Sequence, residues 1–485
     1  MTFEALFADI SYRYAPNSSR DVTELEIAEV ITSPDKGAEN AVFVALDTAL
    51  RDGHARVGAA YAAGCRLFVV EREVSLPSDA VVLLCENTAK LLAELSARVY
   101  GYPERSLTVI GITGTHASGQ CARMLERILR EDGRRVARLS PTALYVDGDV
   151  ISYGAIVPDA AEIRRALVRM VASGAEIAIL EFTPYQLSYA ASQGIPFLAV
   201  ALSDLSPRET REGGLAGFEA YTDAIANLMA AEAAFALLPV GVDMMTAGRL
   251  LRHGENGDVR AENASVVRGE NGIPSTRISL VVDTEETEIT LPVIGDMSVN
   301  SATLSLALAR ILCVGVQRFE KIAPMLCAGA SPECVYAANG RLIYVDNAYD
   351  GESLERVLRT LQPLSTGRLC VLLGAVGDRA EWRRTELGRV AERCADYVYL
   401  SADNPDREDP ERICEDIRGA MEESERAVIL ASRKRAIRRA VRELRAGDVL
   451  LLAGKSGEQH QLVRGVRRPF SDRDMLQDAL SLVTY

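Results

Sequence analysis

The chain has few of the residues that usually build metal or disulfide sites. Its 485 residues include only four histidines, which lie far apart, and nine cysteines without a C-x-x-C pair. Most cysteines stand in apolar stretches, where a reduced thiol behaves as a small core residue. The sequence therefore predicts neither a histidine-based metal cluster nor a disulfide framework.

Long apolar runs are also missing. The sequence has no apolar N-terminal segment and no apolar run of about 18 residues, the length that a membrane-spanning helix needs. The net charge of −14 opposes binding to nucleic acids or to anionic membranes. We therefore expect a cytoplasmic protein with no nucleic-acid partner and no membrane insertion.

Short apolar runs of strand length alternate with amphipathic helical stretches along the whole chain. Continuous β-branched runs separated by helices predict an α/β fold with parallel sheets covered on both faces. We predict three domains, residues 1–105, 106–330 and 331–485, and an antiparallel hairpin insert in residues 254–293, where polar and apolar residues alternate. The predicted strands are residues 41–45, 66–70, 81–84, 107–111, 176–181, 197–202, 342–346, 370–374, 397–400, 428–430 and 448–453.

Residues 109–119 have the layout of a phosphate-binding loop: an apolar strand, a glycine-rich turn and a helical run that we predict for Cys121 to Leu129. In such loops, backbone N–H groups at a helix N-terminus bind phosphates. A lysine contacts the β- and γ-phosphates, and a serine or threonine binds Mg²⁺. Gly114 and Gly119 have the required spacing, but Gln120 and Cys121 follow them. The loop is predicted to keep the backbone arrangement of a phosphate site without the lysine and the Mg²⁺-binding hydroxyl.

Several motifs in colinear order resemble the Mur ligase family, in particular its muramoyl-tripeptide synthetases. The motifs are Asp52-Gly-His54, Gly111-Ile-Thr-Gly-Thr115, Asp403-Asn-Pro405, Ala453-Gly-Lys455 with Glu458, and Phe470-Ser-Asp-Arg473. The resemblance implies an N-terminal uridine-nucleotide-binding-like domain, a central ATPase-like domain and a C-terminal amino-acid-binding-like domain. It also implies ATP-dependent amide-bond formation in peptidoglycan precursor synthesis, with ATP and Mg²⁺ as cofactors.

The central domain departs from the family pattern where phosphate and metal should bind. Ser118 takes the position of the lysine, Gly119 that of the Mg²⁺-binding hydroxyl, and Ile225 that of a carbamylated lysine, whereas Glu181 remains as the metal carboxylate. The remnant of the nucleotide loop is Gly111, Thr113, Gly114, Thr115, Ser118 and Gly119. Further replacements occur at Ile156-Val-Pro158, Thr183-Pro-Tyr185, Asp204 to Glu209, Ser298, Ser301, Pro332-Glu-Cys334 and Asp346-Asn-Ala-Tyr349.

The C-terminal domain keeps more of the family pattern. By resemblance, the substrate-binding residues are Asp378, Arg379, Asp403, Asn404, Pro405, Asp406, Gly454, Lys455 and Glu458. Asp406 stands where diaminopimelate-specific members have arginine, and its carboxylate would repel the distal carboxylate of diaminopimelate. Lys455 is expected to bind a substrate carboxylate or to support domain closure.

Several of these residues also have a simpler structural interpretation. Glu181 can cap the next helix, Asp378 and Arg379 can form an ordinary turn, and His116 can be a solvated loop residue instead of a cation for phosphate. Cys121 is either a reactive thiol at a helix N-terminus or a buried one. The basic run that includes Arg433-Lys-Arg435 and Arg438-Arg439 is interpreted as a solvated helix face.

Three functional hypotheses follow. The first is a catalytically degenerate paralogue that binds an amino acid, a peptide such as a UDP-muramoyl-peptide, or another ligase without hydrolysing ATP. The second is an active amide ligase with a rebuilt phosphate site, for which Arg123 and Arg208 are the candidate cations. The third is a structural partner of an active Mur ligase or another cell-wall enzyme.

Overall fold

The computed structural model describes residues 1–22, 25–49, 51–153, 157–206, 215, 217–269, 272–282, 284–326, 331–377, 381–455 and 458–482. The chain divides into two compact units. The first unit comprises Met1–Arg260, Val281–Thr284 and Thr303–Gly315, and the second comprises Ala261–Leu280, Glu285–Ala302 and Val316–Tyr485.

The first unit begins with a five-stranded sheet. Its three parallel pairings join four fully or mostly buried strands, and a short antiparallel strand closes one edge. In sheet order the strands are Arg13–Tyr14, Val81–Leu84, Leu67–Val70, Ala41–Val44 and Glu29–Ile31. A separate two-stranded ribbon pairs Asp47–Thr48 with Arg51–Asp52, and the α-helices of this region are Phe3–Leu6, Val57–Ala62 and Thr88–Val99.

A second sheet in the first unit holds the glycine-rich loop. Its eight strands within this unit are, in order, Asp149–Ser152, Ala143–Val146, Val136–Leu139, Ile177–Glu181, Thr108–Thr113, Phe197–Leu202, Ala233–Pro239 and Arg249–His253. The strands from Val136–Leu139 onward are parallel. The α-helices are Ser118–Glu131, Ala160–Ala172, Pro184–Ser188 and Phe218–Met229.

Strand Thr108–Thr113 lies centrally in this sheet, and the chain order reverses beside it. The next strand along the chain, Val136–Leu139, lies on one side of it beyond Ile177–Glu181. The later strand Phe197–Leu202 pairs with its other side. Ligands of open parallel sheets bind beyond the carboxyl ends of strands at such a reversal. The loop that follows Thr113 therefore starts at the edge where a ligand site is expected.

Residues 259–326 add three strands and two α-helices. Strands Val259–Arg268, Pro274–Val282 and Glu285–Leu291 follow one another both in the chain and in sheet order, as the predicted insert requires. The helices are Asp296–Ile311 and Phe319–Ile322.

The rest of the second unit is built on a six-stranded sheet. In sheet order its strands are Glu333–Ala338, Arg341–Asp346, Val449–Ala453, Leu369–Leu373, Tyr397–Leu400 and Ala427–Ile429, and only the first is antiparallel to its neighbour. A hairpin pairs His460–Val463 with Val466–Pro469. The α-helices are Gly351–Leu361, Glu381–Cys394, Pro410–Gly419, Arg433–Glu443 and Asp472–Ser481.

The fold prediction is confirmed: this is an α/β protein with large parallel sheets. Each predicted buried run forms a strand, with bounds that differ by at most a residue or two. The domain bounds at residues 105 and 330 remain predictions. None of the helices within the described ranges is long and apolar enough to cross a membrane.

Candidate functional site

The glycine-rich loop leaves the strand Thr108–Thr113 in a conformation that requires glycine. Gly114 has a φ of +156°, and a Cβ atom there would lie 2.0 Å from the Ser203 hydroxyl oxygen. The loop helix begins at Ser118, three residues before the predicted start at Cys121. Gly111, one of the predicted loop residues, instead lies within the buried strand, where the Phe197 ring packs against its backbone.

Asp204 binds the loop through backbone amides. Its carboxylate accepts N–H bonds from His116 at 3.0 Å and from Ala117 at 3.0 Å. The Ser203 hydroxyl donates to the same carboxylate at 2.7 Å. Backbone N–H groups at this point of a glycine-rich loop are the groups that contact phosphate in a working site. In this chain an internal carboxylate accepts two of them.

The hydroxyl groups of the loop also bond within the protein. Thr113 donates to the backbone carbonyl of Phe182 at 3.0 Å. The Thr115 hydroxyl oxygen accepts the Tyr221 hydroxyl proton at 3.0 Å and the Ser206 N–H at 3.0 Å. The loop is therefore held on both sides by neighbouring segments of the same unit.

Glu181 points toward the start of the loop helix. The Ser118 hydroxyl donates to its carboxylate at 3.3 Å. Burial raises the pKa of Glu181, while the charges of Arg138 and Arg123 and the bond from Ser118 oppose this rise. The Glu181 carboxylate thus accepts one hydroxyl bond and is influenced by two arginine charges, of which Arg138 pairs with Glu126 at 2.6 Å.

Glu181 does not cap the helix Pro184–Ser188, so that alternative is wrong. Thr183 is the N-cap of this helix, and its hydroxyl accepts the N–H of Gln186. The Gln186 side chain in turn accepts the N–H of Thr183, which completes a capping box. Thr183-Pro-Tyr185, which replaces the family motif after Glu181, therefore forms the N-terminus of this helix.

Two further positions are part of the apolar core. Ile225 is fully buried in the helix Phe218–Met229 and belongs to a core cluster of this unit. Cys121 is also fully buried, and its thiol accepts the Ser305 hydroxyl at 3.3 Å. Burial raises the pKa of Cys121 to about 12, so the structure supports the buried-thiol interpretation. His116 is half-buried.

Asp47, Asp52 and His54 place possible metal-ligating atoms within 4.8 Å of one another. However, Arg72 donates to both carboxylates at 2.9 Å. His54 Nε2 already accepts the backbone N–H of Glu71 at 2.9 Å. An arginine paired with both acids fits a surface salt-bridge group, and we assign no ion there.

In the second unit, the predicted amino-acid loop lies beyond the carboxyl ends of parallel strands. Asp403 follows strand Tyr397–Leu400, and Gly454 follows strand Val449–Ala453. Gly454 has a φ of +97°, and a Cβ atom there would lie 3.3 Å from an Asp403 carboxylate oxygen. The geometry therefore brings the two motifs, which are some fifty residues apart in the chain, into contact.

Lys455 is the centre of a buried polar cluster. Its ammonium group is fully buried and lies 3.3 Å from the Asp403 carboxylate and 3.1 Å from the Asn404 side-chain oxygen. It also pairs with Glu458, to which the Asn404 amide donates at 2.9 Å. Lys455 thus binds three of the predicted substrate-binding residues, and its role toward a ligand stays a prediction.

The remaining residues of the loop are fixed by the hairpin and by Gly377. The Asp406 N–H donates to the Leu462 carbonyl at 3.0 Å, and its carboxylate accepts the Gly465 N–H at 2.6 Å. A Cβ atom on Gly377 would lie 2.0 Å from the Pro405 carbonyl oxygen. Asp406, which replaces the family arginine, is therefore used to hold the hairpin turn.

Arg433 corrects one prediction. The solvated-face interpretation included it, but its guanidinium is fully buried and pairs with Asp472 at 2.6 Å and 2.8 Å. It also donates to the Ala453 carbonyl at 2.8 Å. Its charge, together with that of Lys455, opposes the burial that raises the pKa of Asp403.

Some predicted residues lie outside the described residues: Ile156, Arg208, Glu209, Asp378 and Arg379. Others have local structural contacts. The Ser298 hydroxyl donates to the Ser331 carbonyl at 2.6 Å, and the Ser301 hydroxyl donates to the Met297 carbonyl at 2.8 Å. Glu333 pairs with Arg473 at 2.6 Å.

Asp346 is a buried carboxyl at the end of strand Arg341–Asp346. Burial raises its pKa from 3.8 to about 6, although bonds from Ser331 at 2.5 Å and from the Ala348 N–H at 2.7 Å oppose the rise. The folded state therefore binds this proton more tightly than the unfolded state. Its contribution to stability is present below about pH 4 and is lost as the pH rises through about 6.

We expect Asp346→Asn to be more stable than the unmodified chain by about 2 kcal/mol at pH 8 and equally stable near pH 4. The amide stays neutral, so the cost of a buried charge at high pH disappears. Urea unfolding between pH 4 and 8 measures this difference. A difference in the free energy of unfolding between the two chains that does not change with pH would contradict the assignment of the charge to Asp346.

Comparison with known proteins agrees with this architecture. Residues 333–456 match the family model described as "Mur ligase, glutamate ligase domain". The chain is 28% identical to the UDP-N-acetylmuramoyl-L-alanyl-D-glutamate–2,6-diaminopimelate ligase of Aquifex aeolicus over 450 residues, which cover 90% of each chain. A ligase of the same name from Bacillus licheniformis is 28% identical over 494 residues and 96% of each chain.

Over nearly its whole length the chain is similar in sequence to Mur ligases, and residues 333–456 match the C-terminal domain of that family. A solved structure of a diaminopimelate ligase of this family superposes with a TM-score of 0.66 at 22% identity, covering 95% of this chain and 96% of the other. A folylpolyglutamate synthase of Mycobacterium tuberculosis, solved with ADP, gives a TM-score of 0.59 at 14% identity and covers 81% of this chain and 94% of its own. At these identities the structures establish a shared fold.

Two features of this chain go beyond the motif comparison. One is the bonding of Asp204: the sequence shows an acid at this replaced position, but its bonds to the loop amides span 87 and 88 residues and have no local sequence signal. The other was visible in the sequence: the lysines are Lys36, Lys90, Lys321, Lys434 and Lys455, and none lies between Lys90 and Lys321. This lysine-free span agrees with the replacement of both family lysines, by Ser118 and by Ile225.

Proposed function

We propose that this chain is a Mur ligase paralogue that binds a ligand or partner without ATP-dependent ligation. The observation that carries the proposal is the Asp204 carboxylate, which accepts the N–H groups of His116 and Ala117. A phosphate at these amides would have to displace a carboxylate of the same charge sign. Hydrogen bonds to a charged group are each worth about 1.5–3 kcal/mol, so the displacement is costly.

The absence of lysine supports the same proposal. Between Lys90 and Lys321 no residue can supply the ammonium group for the γ-phosphate or form a carbamate. Ser118 stands at the first position, and Ile225, buried in the core, at the second. Each lost contact to phosphate is worth about 1.5–3 kcal/mol. Their loss would destabilise the transition state of acyl phosphate formation and lower its rate by several factors of ten.

The residues around Glu181 do not fit Mg²⁺. Magnesium prefers oxygen ligands, usually one or two carboxylates with waters and phosphates. Here there is one carboxylate, on which the charges of Arg138 and Arg123 act, and Gly119 replaces the hydroxyl that would complete the site. The positive charges of Arg138 and Arg123 already act on this carboxylate and would oppose the approach of a divalent cation. We therefore derive no catalytic step through a metal.

The second unit is the part that we propose to bind an amino acid or a peptide. Asp403, Asn404 and Glu458 form one buried cluster with Lys455 at the carboxyl edge of the sheet. The relatives named above are diaminopimelate ligases, but Asp406 would repel the distal carboxylate of that substrate. We propose a ligand without an acidic group at that end, with an active Mur ligase or another cell-wall enzyme as an alternative partner.

Titration with Mg-ATP followed by calorimetry tests the first part of the proposal. We expect no binding heat and no thermal stabilisation at millimolar nucleotide, because the loop amides are engaged and the cations are absent. The Aquifex aeolicus ligase is the positive control in the same buffer. ATP-dependent ligation of any amino acid to a UDP-muramoyl-dipeptide by the purified chain would refute the proposal.

One observation favours a second candidate function, an active ligase with a rebuilt phosphate site. A Cβ atom on Gly119 would lie 3.4 Å from a guanidinium nitrogen of Arg123, so a cation stands beside the helix N-terminus. If Arg123 replaced the family lysine, micromolar Mg-ATP binding would be seen and Arg123→Met would abolish it. Arg208, the other cation named for this role, lies outside the described residues.

A further inference from the structure

The most basic segment of this acidic protein is the helix Arg433–Glu443 together with the two residues that follow it. Residues 433–445 contain seven lysines and arginines and one acidic residue, a net charge of +6, whereas the whole chain carries −14. The rest of the chain therefore carries −20. A concentration of one charge sign in thirteen residues of an oppositely charged chain indicates an interaction surface.

Four of the six cations of this helix lie on one side. At 100° per residue, Lys434, Arg438 and Arg442 follow one another along the axis, and Arg435 lies beside them. Three of these four side chains are exposed, and Lys434 is half-buried. We call this set of four residues the basic face. Among the described residues no acidic side chain forms an ion pair with any of the four.

The structural roles of the helix are carried by other residues. Arg433 pairs with the buried Asp472, and Arg439 pairs with Glu443 at 2.8 Å. The apolar residues Ala436, Ile437, Ala440 and Val441 are all buried in the core. Folding therefore uses the opposite side of the helix and leaves the basic face to solvent.

The geometry points to an acidic segment of a protein partner, and we propose that the basic face binds one. Lys434 to Arg442 span eight residues, about 12 Å of helix, which matches three or four residues of an extended acidic peptide. A nucleic acid would extend past this length onto a chain surface that carries −20 in total. Insertion into a membrane would need exposed apolar side chains beside the cations, and the apolar residues of this helix are buried.

This inference rests on the partner-binding part of the proposed function and names the chemistry of the partner. It predicts binding of a fluorescently labelled peptide of glutamate, aspartate and serine to the full chain at low ionic strength. The triple variant Lys434→Glu, Arg438→Glu and Arg442→Glu should weaken this binding by at least about tenfold. Binding should also fall as salt rises through about 0.15 M.

The matched control changes the net charge equally at exposed arginines elsewhere: Arg169→Glu, Arg389→Glu and Arg412→Glu. We expect this control to bind the peptide within about threefold of the unmodified chain, since long-range charge effects are screened. Equal weakening by both triple variants, or no peptide binding at low salt, would overturn the proposal. Circular dichroism verifies that both variants are folded.

Two other polyanions complete the test. A short DNA duplex and vesicles containing phosphatidylglycerol are titrated under the same conditions. Tighter binding of either one than of the peptide, lost in the basic-face variant, would assign the surface to nucleic acid or membrane and refute the protein partner. Because ATP binding is measured separately, failure of this inference leaves the nucleotide result unaffected.

Discussion

Replacement of Lys455 by methionine should lower the free energy of unfolding of the second unit by about 3–5 kcal/mol. The substitution removes the only cation that directly contacts Asp403, Asn404 and Glu458 among the described residues. Asp403 is almost fully buried, so its carboxylate would lose its contacting cation and keep only the more distant charge of Arg433 in a poorly solvated environment. Urea unfolding followed by tryptophan fluorescence measures the loss, since Trp382, the single tryptophan, lies in this unit.

Two controls distinguish the effect of leaving the Asp403 charge buried from the effect of losing any lysine in this unit. Lys434→Met removes a lysine from the solvent side of a helix in the same unit and should change stability by less than about 1 kcal/mol. Adding Asp403→Asn to Lys455→Met removes the unpaired carboxylate and should recover part of the loss. A Lys455→Met chain as stable as the Lys434→Met chain would show that the cluster does not stabilise the fold.

Restoring the family groups to the glycine-rich loop should create an ATP site. We expect the triple variant Ser118→Lys, Gly119→Thr and Asp204→Asn to bind Mg-ATP at least about 100-fold more tightly than the unmodified chain. Each charge-assisted phosphate contact contributes about 1.5–3 kcal/mol, so two contacts suffice for this gain. The Cβ atom of the threonine would lie 3.0 Å from a carboxylate oxygen of Glu181, so the end of that side chain must shift by a few tenths of an ångström to accommodate it.

Partial variants identify which group matters. Asp204→Asn alone removes the competing charge and should give weak nucleotide binding, while Ser118→Lys with Gly119→Thr keeps that charge and should bind less tightly than the triple variant. Ser118→Met with Gly119→Val and Asp204→Asn is the control of similar bulk without the phosphate contacts. A folded triple variant that binds no better than this control would contradict our account of the loop.

Local sequence patterns were sufficient for the fold and insufficient for the polar sites. The strand at residues 449–453 is apolar at every position, so both its existence and its burial follow from the sequence. Arg433 was assigned to solvent because its helix is basic, yet Asp472, 39 residues later, decides its burial. The contacts of Asp204 and Lys455 likewise join distant segments. Motif comparison could name the residues of the loop, but only the fold shows which of them bond to one another.

The loop of residues 403–408 has a consequence for how a ligand would associate. Its Asn404 carbonyl accepts the Gly377 N–H at 2.9 Å, Asp406 is bonded to the hairpin, and Glu408 forms a bidentate pair with Arg384. The conformational entropy of ordering this segment has therefore been lost during folding. A ligand that contacts this loop binds a segment that is already ordered, so association should proceed in one fast step. Differences in affinity between ligands should then appear in their dissociation rates.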